Sequence, residues 1–338
     1  MFYLSGQEEK VMSAAGKTKT IILGKTAILS GLLVISLILS ISFGAVTIEW
    51  TQLIAGLSNQ GDQAFTIYEY RLPRALLAVI AGAMLSVSGV LVQGVIRNPL
   101  ASPDILGISH GAGLAAVLFM VLFPEQNIAY IPWIALLGGL FAALFLVLIV
   151  RGNLAPVTLA VTGIALSALF ASVIDFVLLI HPFEINNALL WLTGSLWGRG
   201  WEQLNLLLPW ALLLPVALAF AHPLNLLVLG ETRAETLGLH VYLMKGLSLF
   251  LAVCWTSAVV SFCGPVSFLG LVAPHIARRL YGGRHQAIIP SSMLIGAIIL
   301  VFADFCARVI APPIELPAGI FTALVGAPYF LYLLMKMR

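Results

Sequence analysis

Charge is scarce in this sequence. Of 338 residues, 17 are Lys or Arg and 14 are Asp or Glu, 9% in all, against about 25% in a soluble globular domain. Hydrophobic types make up 61%, and the mean hydropathy is +1.06. A soluble fold of this length needs a polar skin that such a composition cannot supply. A soluble enzyme, a disordered chain and a disulfide scaffold are thereby excluded, which leaves a polytopic membrane protein. The net charge of +3 is too small and too dispersed for nucleic-acid binding. Cysteine is scarce too. Cys254, Cys263 and Cys306 lie in apolar stretches without metal-ligand spacing and read as small apolar side chains. The sequence also lacks a Walker A loop and a His-Glu-x-x-His helix. Any uphill transport by this chain would need energy from another chain or from an ion gradient.

What the chain has is long apolar runs. Thr26–Ile48, Ala75–Ile96, Ile105–Phe123, Ile128–Val150, Leu154–Ile180, Leu204–Phe220, Ile288–Ala307 and Leu316–Met335 each approach the length that crosses a bilayer. The first follows a basic lead and is longer than a signal-peptide core, with no small-residue cleavage site behind it. Gly246–Pro274 carries no charge and is too long for one crossing but short for two, and Gly264-Pro265 interrupts it. The positive-inside rule decides the count. With two crossings there, and ten in total, both termini are cytoplasmic. Every Lys and Arg except Arg71, Arg74, Arg199 and Arg308 then falls inside, thirteen against four. With one crossing the split becomes nine against eight, and the bias vanishes. The expected fold is therefore all-α, with ten transmembrane helices, the eighth short and continuing past His275 towards Arg279. No loop is long enough for a further domain. Residues 1–338 form one membrane domain, with a cytoplasmic tail over 1–25 and a cytoplasmic loop over 222–245.

The polar residues in and beside these spans are the candidates for function. Arg71 and Arg74 flank Leu72-Pro73 at the outer end of the second span, against the positive-inside trend. Two outer arginines at this spacing suit the carboxylates of an external partner, and equally a snorkelling interface pair. Gly82 and Ser86 are four apart in the second span, as are Leu85 and Gly89, the spacing of small residues in close helix contact. Asn98-Pro99-Leu100 opens a segment, running to Gly107, whose prolines forbid continuous helix. Irregular backbone at membrane depth survives only under cover of protein or beside a water-filled path. Asp175 and Asp304 are carboxylates within spans, near their outer ends. Asp304 precedes Arg308 by four residues, so the two can pair on one helix face in a structural role. For Asp175, an outer vestibule and a buried helix contact both stay open. Finally, Gly230 to Gly238 reads as a short cytoplasmic helix. Gly238 suits a left-handed cap, and Leu229, Ala234 and Leu237 could form an apolar face for the groove of a cytoplasmic protein.

Taken together, Arg71–Arg74, Ser88 to Gly107, Gly230–Gly238, Gly264 to Arg278, Glu315–Gly319 and Gly326-Ala327-Pro328 resemble the FecCD-type permeases of bacterial ABC importers. That group carries iron-siderophores, haem and cobalamin. The resemblance implies a cobalamin-permease-like bundle in the bacterial cytoplasmic membrane. It also implies a second permease subunit, identical or not, two cytoplasmic ATPases and an external substrate-binding protein. The chain itself would bind no cofactor, since ATP and Mg belong to the ATPase. By resemblance, Arg71, Arg74 and Arg308 receive the binding protein. Gly230, Glu231, Arg233, Ala234, Leu237 and Gly238 couple to the ATPase, and Leu100, with Asn98 and Pro99, lies at the cytoplasmic gate. Asp175 is a further candidate along the path. An iron-siderophore is the expected cargo, with haem or cobalamin as alternatives. An ion-coupled carrier is the main rival, and it lacks a midplane carboxylate. Few charges and many Ala, Gly, Ser and Thr along the path suit a conduit that holds its cargo weakly.

Sidedness is directly testable. With the three native cysteines replaced, single cysteines at Ser58 and Gln126 are expected to react with an impermeant thiol reagent on intact cells. Cysteine at Thr232 is expected to react only after permeabilisation, and its labelling in intact cells would overturn the ten-span topology.

Overall fold

The computed structural model describes the backbone of residues 2–44, 48–58, 60–182 and 185–336, and the side chains of these ranges except 2–21 and 185. The side chains of Lys10, Lys17 and Lys19, and Arg338 as a whole, lie outside the described residues. Helix α1 covers Phe2–Ser42, so the expected cytoplasmic tail continues the first span as helix. A short α2, Trp50–Leu57, follows, and a wide helical turn over Thr66–Arg71 leads into α3, Leu72–Ile96. Then come α4 (Ile108–Leu122), α5 (Ile131–Val150), α6 (Pro156–Ile180) and the short α7 (Ile185–Leu192). α8 (Trp201–Ala211) passes through a tighter turn over Leu214–Phe220 into α9 (Ala221–Val228). The chain ends with α10 (Glu231–Thr236), α11 (Val241–Cys263), α12 (Leu269–Tyr281), α13 (His285–Val309) and α14 (Ala318–Lys336).

Eight helical runs among the described residues are long and apolar enough to cross a membrane. The third and eighth expected spans are the exceptions. α4 has 15 residues and α12 has 13, or ~22 and ~20 Å at 1.5 Å per residue. Each is preceded by irregular backbone, residues 97–107 and 264–268, that makes up the missing length. The first segment seats against α12 itself, since a Cβ on Gly270 would touch Pro103, and the second against residues 191–194, since a Cβ on Gly264 would press on the Trp191 carbonyl and on Gly194. Ala101, Ser102, Pro103, Gly264 and Val266 are buried there. This is the protein cover that such backbone needs inside a membrane.

α3 is the post around which the rest stands. Every residue from Ala81 to Ile96 is buried, and α11, α12 and α13 pack on it. A membrane gives little hydrophobic drive for helices to associate, so close backbone approach and dispersion hold them together. The small residues allow that approach. A Cβ on Gly82 would press on the backbone of Gly296, and one on Gly89 on the carbonyl of Gly270. The buried hydroxyls of Ser86 and Ser88 donate to the carbonyls of Gly82 and Met84 at 2.7 and 2.9 Å. They are satisfied within their own helix and leave no polar demand on the neighbours.

Gly89→Val is therefore expected to abolish the monodisperse species in detergent size-exclusion chromatography. Overpacking alone costs about 1–3 kcal/mol, and here backbone rather than a side chain must yield. Gly246→Ala, where a Cβ meets nothing within 4 Å, should leave the profile unchanged.

Candidate functional site

At the outer end, the last turn of α1, the first turn of α3 and the last turns of α13 converge. The final carbonyls of a helix have no partner in their own helix and carry its negative end. Arg71 Nη1 donates to the carbonyls of Ile41 and Ser42 at 2.8 and 3.0 Å. Arg308 Nη2 donates to the carbonyl and the hydroxyl of Ser40 at 2.8 and 2.6 Å. Two arginines from other helices thus cap α1. Asp304, fully buried, lies between Arg74 and Arg308. Arg74 binds it through Nε at 3.0 Å and Nη2 at 2.8 Å, and Arg308 Nε stands 3.2 Å away. Arg74 Nη1 also donates to Glu315 at 2.6 Å, and the Glu315 side chain is 27% exposed.

The Asp304–Arg308 pair expected from their spacing is present. The expectation that the three arginines stand open at the outer mouth needs correction. Arg71, Arg74 and Arg308 are 8%, 8% and 5% exposed and turned inward. Burying guanidinium groups is expensive unless each finds an acceptor, and Asp304, Glu315 and the end of α1 are those acceptors. The exposed charges around this end are acidic: Glu49, Asp62 and Glu69 are open to the surface. Sequence reasoning missed Glu315 as a partner, because 241 residues separate it from Arg74.

Along the possible path, Asn98 and Pro99 are exposed and Leu100 is half-buried. Asn98 Oδ1 accepts from the Leu100 N–H at 2.9 Å, an Asx turn that fixes the start of the irregular segment. Further on, Gly107-Ile108-Ser109-His110-Gly111 spells the pattern of a hydrolase nucleophile turn. Here it follows a tight turn over Pro103–Leu106 rather than a strand. The Ser109 hydroxyl donates to Asp104 at 2.6 Å, so the segment is a helix start and not a nucleophile turn. Asp175 is exposed on α6, which removes the reading as a contact buried within this chain. It shares a face with the exposed Ala165, Ala168 and Ser172, a small and polar strip on an otherwise apolar helix.

At the inner end, α10 stands between two glycines of positive φ, Gly230 at +103° and Gly238 at +86°. The Gly238 N–H donates to the Glu235 carbonyl and the Leu239 N–H to that of Ala234, at 2.9 and 3.0 Å, the paired bonds of a Schellman cap. Ala234 is fully buried, whereas Leu229 and Leu237 are 50% and 60% exposed. The expected single apolar face of Leu229, Ala234 and Leu237 is therefore divided. Ala234 seats the helix on the bundle, and Leu237 points out with Thr232, Arg233 and Glu235. Glu231 turns back towards Arg97 and Lys245, two partners that the sequence reading did not single out. A lysine at a span boundary reads as a snorkelling charge, and only the fold shows it buried.

A multi-pass helical bundle with an internally clamped outer end and a short helix exposed at its inner face defines a polytopic integral-membrane protein. The FecCD transport family matches residues 32–336, and the chain belongs to that family. It is 48% identical over 302 residues to the Fe(3+) dicitrate transport system permease protein FecD of Escherichia coli (strain K12), covering 89% of this chain and 95% of that one. It is 44% identical over 310 residues to the Fe(3+)-citrate import system permease protein YfmE of Bacillus subtilis (strain 168), with 91% and 93% covered. Among solved structures, a metal-chelate type ABC transporter in an inward-facing conformation matches with a TM-score of 0.83 and 31% identity, over 94% of this chain and 99% of that one.

Asp304→Ala is expected to cost about 3–5 kcal/mol, the penalty for leaving buried charge unpaired, read as a large drop in thermal stability in detergent. Glu315→Ala, removing a partly exposed partner, should cost under about 1 kcal/mol. Equal effects would show that Asp304 is not the keystone of the cluster.

Proposed function

We propose that this chain is the membrane-spanning subunit of an ATP-driven importer that passes an iron(III) chelate of the citrate and siderophore type inward. The observation that carries the reading is α10. It is seated by Ala234 and capped by Gly238, and it exposes Arg233, Glu235 and Leu237 at the inner face, the form of a short helix that fits a groove in another protein. Two cytoplasmic ATPase chains, holding ATP and Mg, would supply that groove. A second permease subunit would complete the conduit, with the exposed strip of α6 around Asp175 available to face it. The residues at Asn98, Pro99 and Leu100 would form the inner gate.

An external binding protein would deliver the chelate to the outer end. Arg71, Arg74 and Arg308 then act from beneath the surface, by holding the ends of α1, α3 and α13 as a platform. Glu315 is the member of the cluster that a docked protein could reach. Ferric citrate is the preferred cargo, because the two relatives quoted above are named for it. Haem or cobalamin would use the same architecture.

One observation favours a second reading. Irregular backbone precedes both α4 and α12, and paired broken helices are a mark of gradient-driven carriers. Uptake of radiolabelled ferric citrate into proteoliposomes holding the complete complex separates the two. Uptake is expected to survive an uncoupler and to stop when the ATPase site is mutated. The reverse pattern would establish the carrier reading, and ATP-dependent uptake of radiolabelled haem or cobalamin with no saturable uptake of ferric citrate would change the cargo.

A further inference from the structure

One carboxylate oxygen at the inner end ties three helices together. Glu231 Oε1, in the first turn of α10, lies 2.8 Å from Arg97 Nη2 and 2.7 Å from Lys245 Nζ. Arg97 ends α3 in the left-handed conformation, with φ +53°, and is followed at once by Asn98, Pro99 and Leu100. Lys245 lies in the second turn of α11 with its side chain 3% exposed. Its ammonium also donates to the Leu154 carbonyl at 3.1 Å, just before α6.

The two contacts differ in kind. A buried ammonium cannot give up a carboxylate for water without losing its solvation, so the Lys245 contact is persistent. The Arg97 and Glu231 side chains are each 36% exposed, and an ion pair with that much water exchanges readily. α10 itself packs on α9 and α11, and its connection to α3 runs through the Glu231 and Arg97 side chains. A side chain at Gly230 or Gly238 would meet nothing within 4 Å, and the seat of α10 on the bundle is the buried Ala234.

We propose that Arg97 and Glu231 are positioning residues that carry movement of α10 to the gate segment at Asn98–Leu100, with Lys245 as the pivot. When α10 shifts, Glu231 either keeps or releases Arg97, and Arg97 is covalently continuous with the gate. The proposal rests on the reading of α10 as the seat of the ATPase, and it adds the route by which the seat is felt inside the bundle.

The experiment uses the complete permease and ATPase complex with its binding protein in proteoliposomes, and radiolabelled ferric citrate as the probe. The wild-type complex is measured first. If it shows no ATP-dependent uptake, the underlying reading fails before any variant is considered. Arg97→Gln, at an exposed site, is expected to leave ATPase co-purification and thermal stability unchanged. It should lower the iron taken up per ATP hydrolysed by about fivefold, the range of changes along a coupling route. Arg97→Lys should restore most of that ratio. Normal uptake per ATP in Arg97→Gln would overturn the proposal. So would a loss that merely tracks lower stability or lost ATPase binding, since a purely structural contact would act that way.

Discussion

At Gly89 the backbone of α3 lies against the backbone carbonyl of Gly270, with no room for a side chain between them. Much of the architecture follows from this contact and the similar one between Gly82 and Gly296. Helices in lipid gain little from hiding apolar surface from each other, so stability depends on how closely their backbones approach. Glycine and serine at these positions let α3 be enclosed by α11, α12 and α13 at once. The enclosure in turn provides dry cover for the irregular segments before α4 and α12, which could not persist against lipid. Short helices and a buried central post are thus consequences of one packing constraint.

Charge is rationed and placed at the two ends of that post, with different degrees of burial. The outer cluster of Arg74, Asp304 and Arg308 is almost wholly dry. Its members cannot separate without stranding a charge, which makes it a clamp on α1, α3 and α13. The inner cluster is dry on the Lys245 side and wet on the Arg97 side. A contact of that kind can open and close at modest cost. The fold therefore fixes its outer end and leaves its inner end adjustable, which suits a bundle driven from the inner side.

The same contrast explains why the arginines are misleading in the sequence. Arg71 and Arg74 stand at a span boundary, where a long charged side chain ordinarily reaches for water. Here the terminal carbonyls of Ser40, Ile41 and Ser42 and the carboxylate of Asp304 lie within hydrogen-bond reach, and the guanidinium groups turn to them. The spacing of Asp304 and Arg308 could be read, because i and i+4 meet on any helix. The pairing of Arg74 with Asp304 and Glu315 could not, because nothing local relates residues 230 and 241 positions apart.

The order and approximate positions of the apolar helices were determined by the sequence alone, and the ten-span count and the sidedness are its reading. Hydropathy and the distribution of lysine and arginine are summed along the chain and need no knowledge of neighbours. The breaks at Asn98–Gly107 and Gly264-Pro265, and the positive φ of Gly238, were legible for the same reason, since proline and glycine act on their own backbone. Tertiary structure alone decided that α4 is short and that Pro103 seats against α12 at Gly270. It also turned Ala234 inward while Leu237 points out, exposed Asp175, and seated Glu231 between Arg97 and Lys245. Each of these depends on which groups from distant parts of the chain share one small volume, and in a membrane that is settled by the fit of surfaces rather than by any property of a single segment.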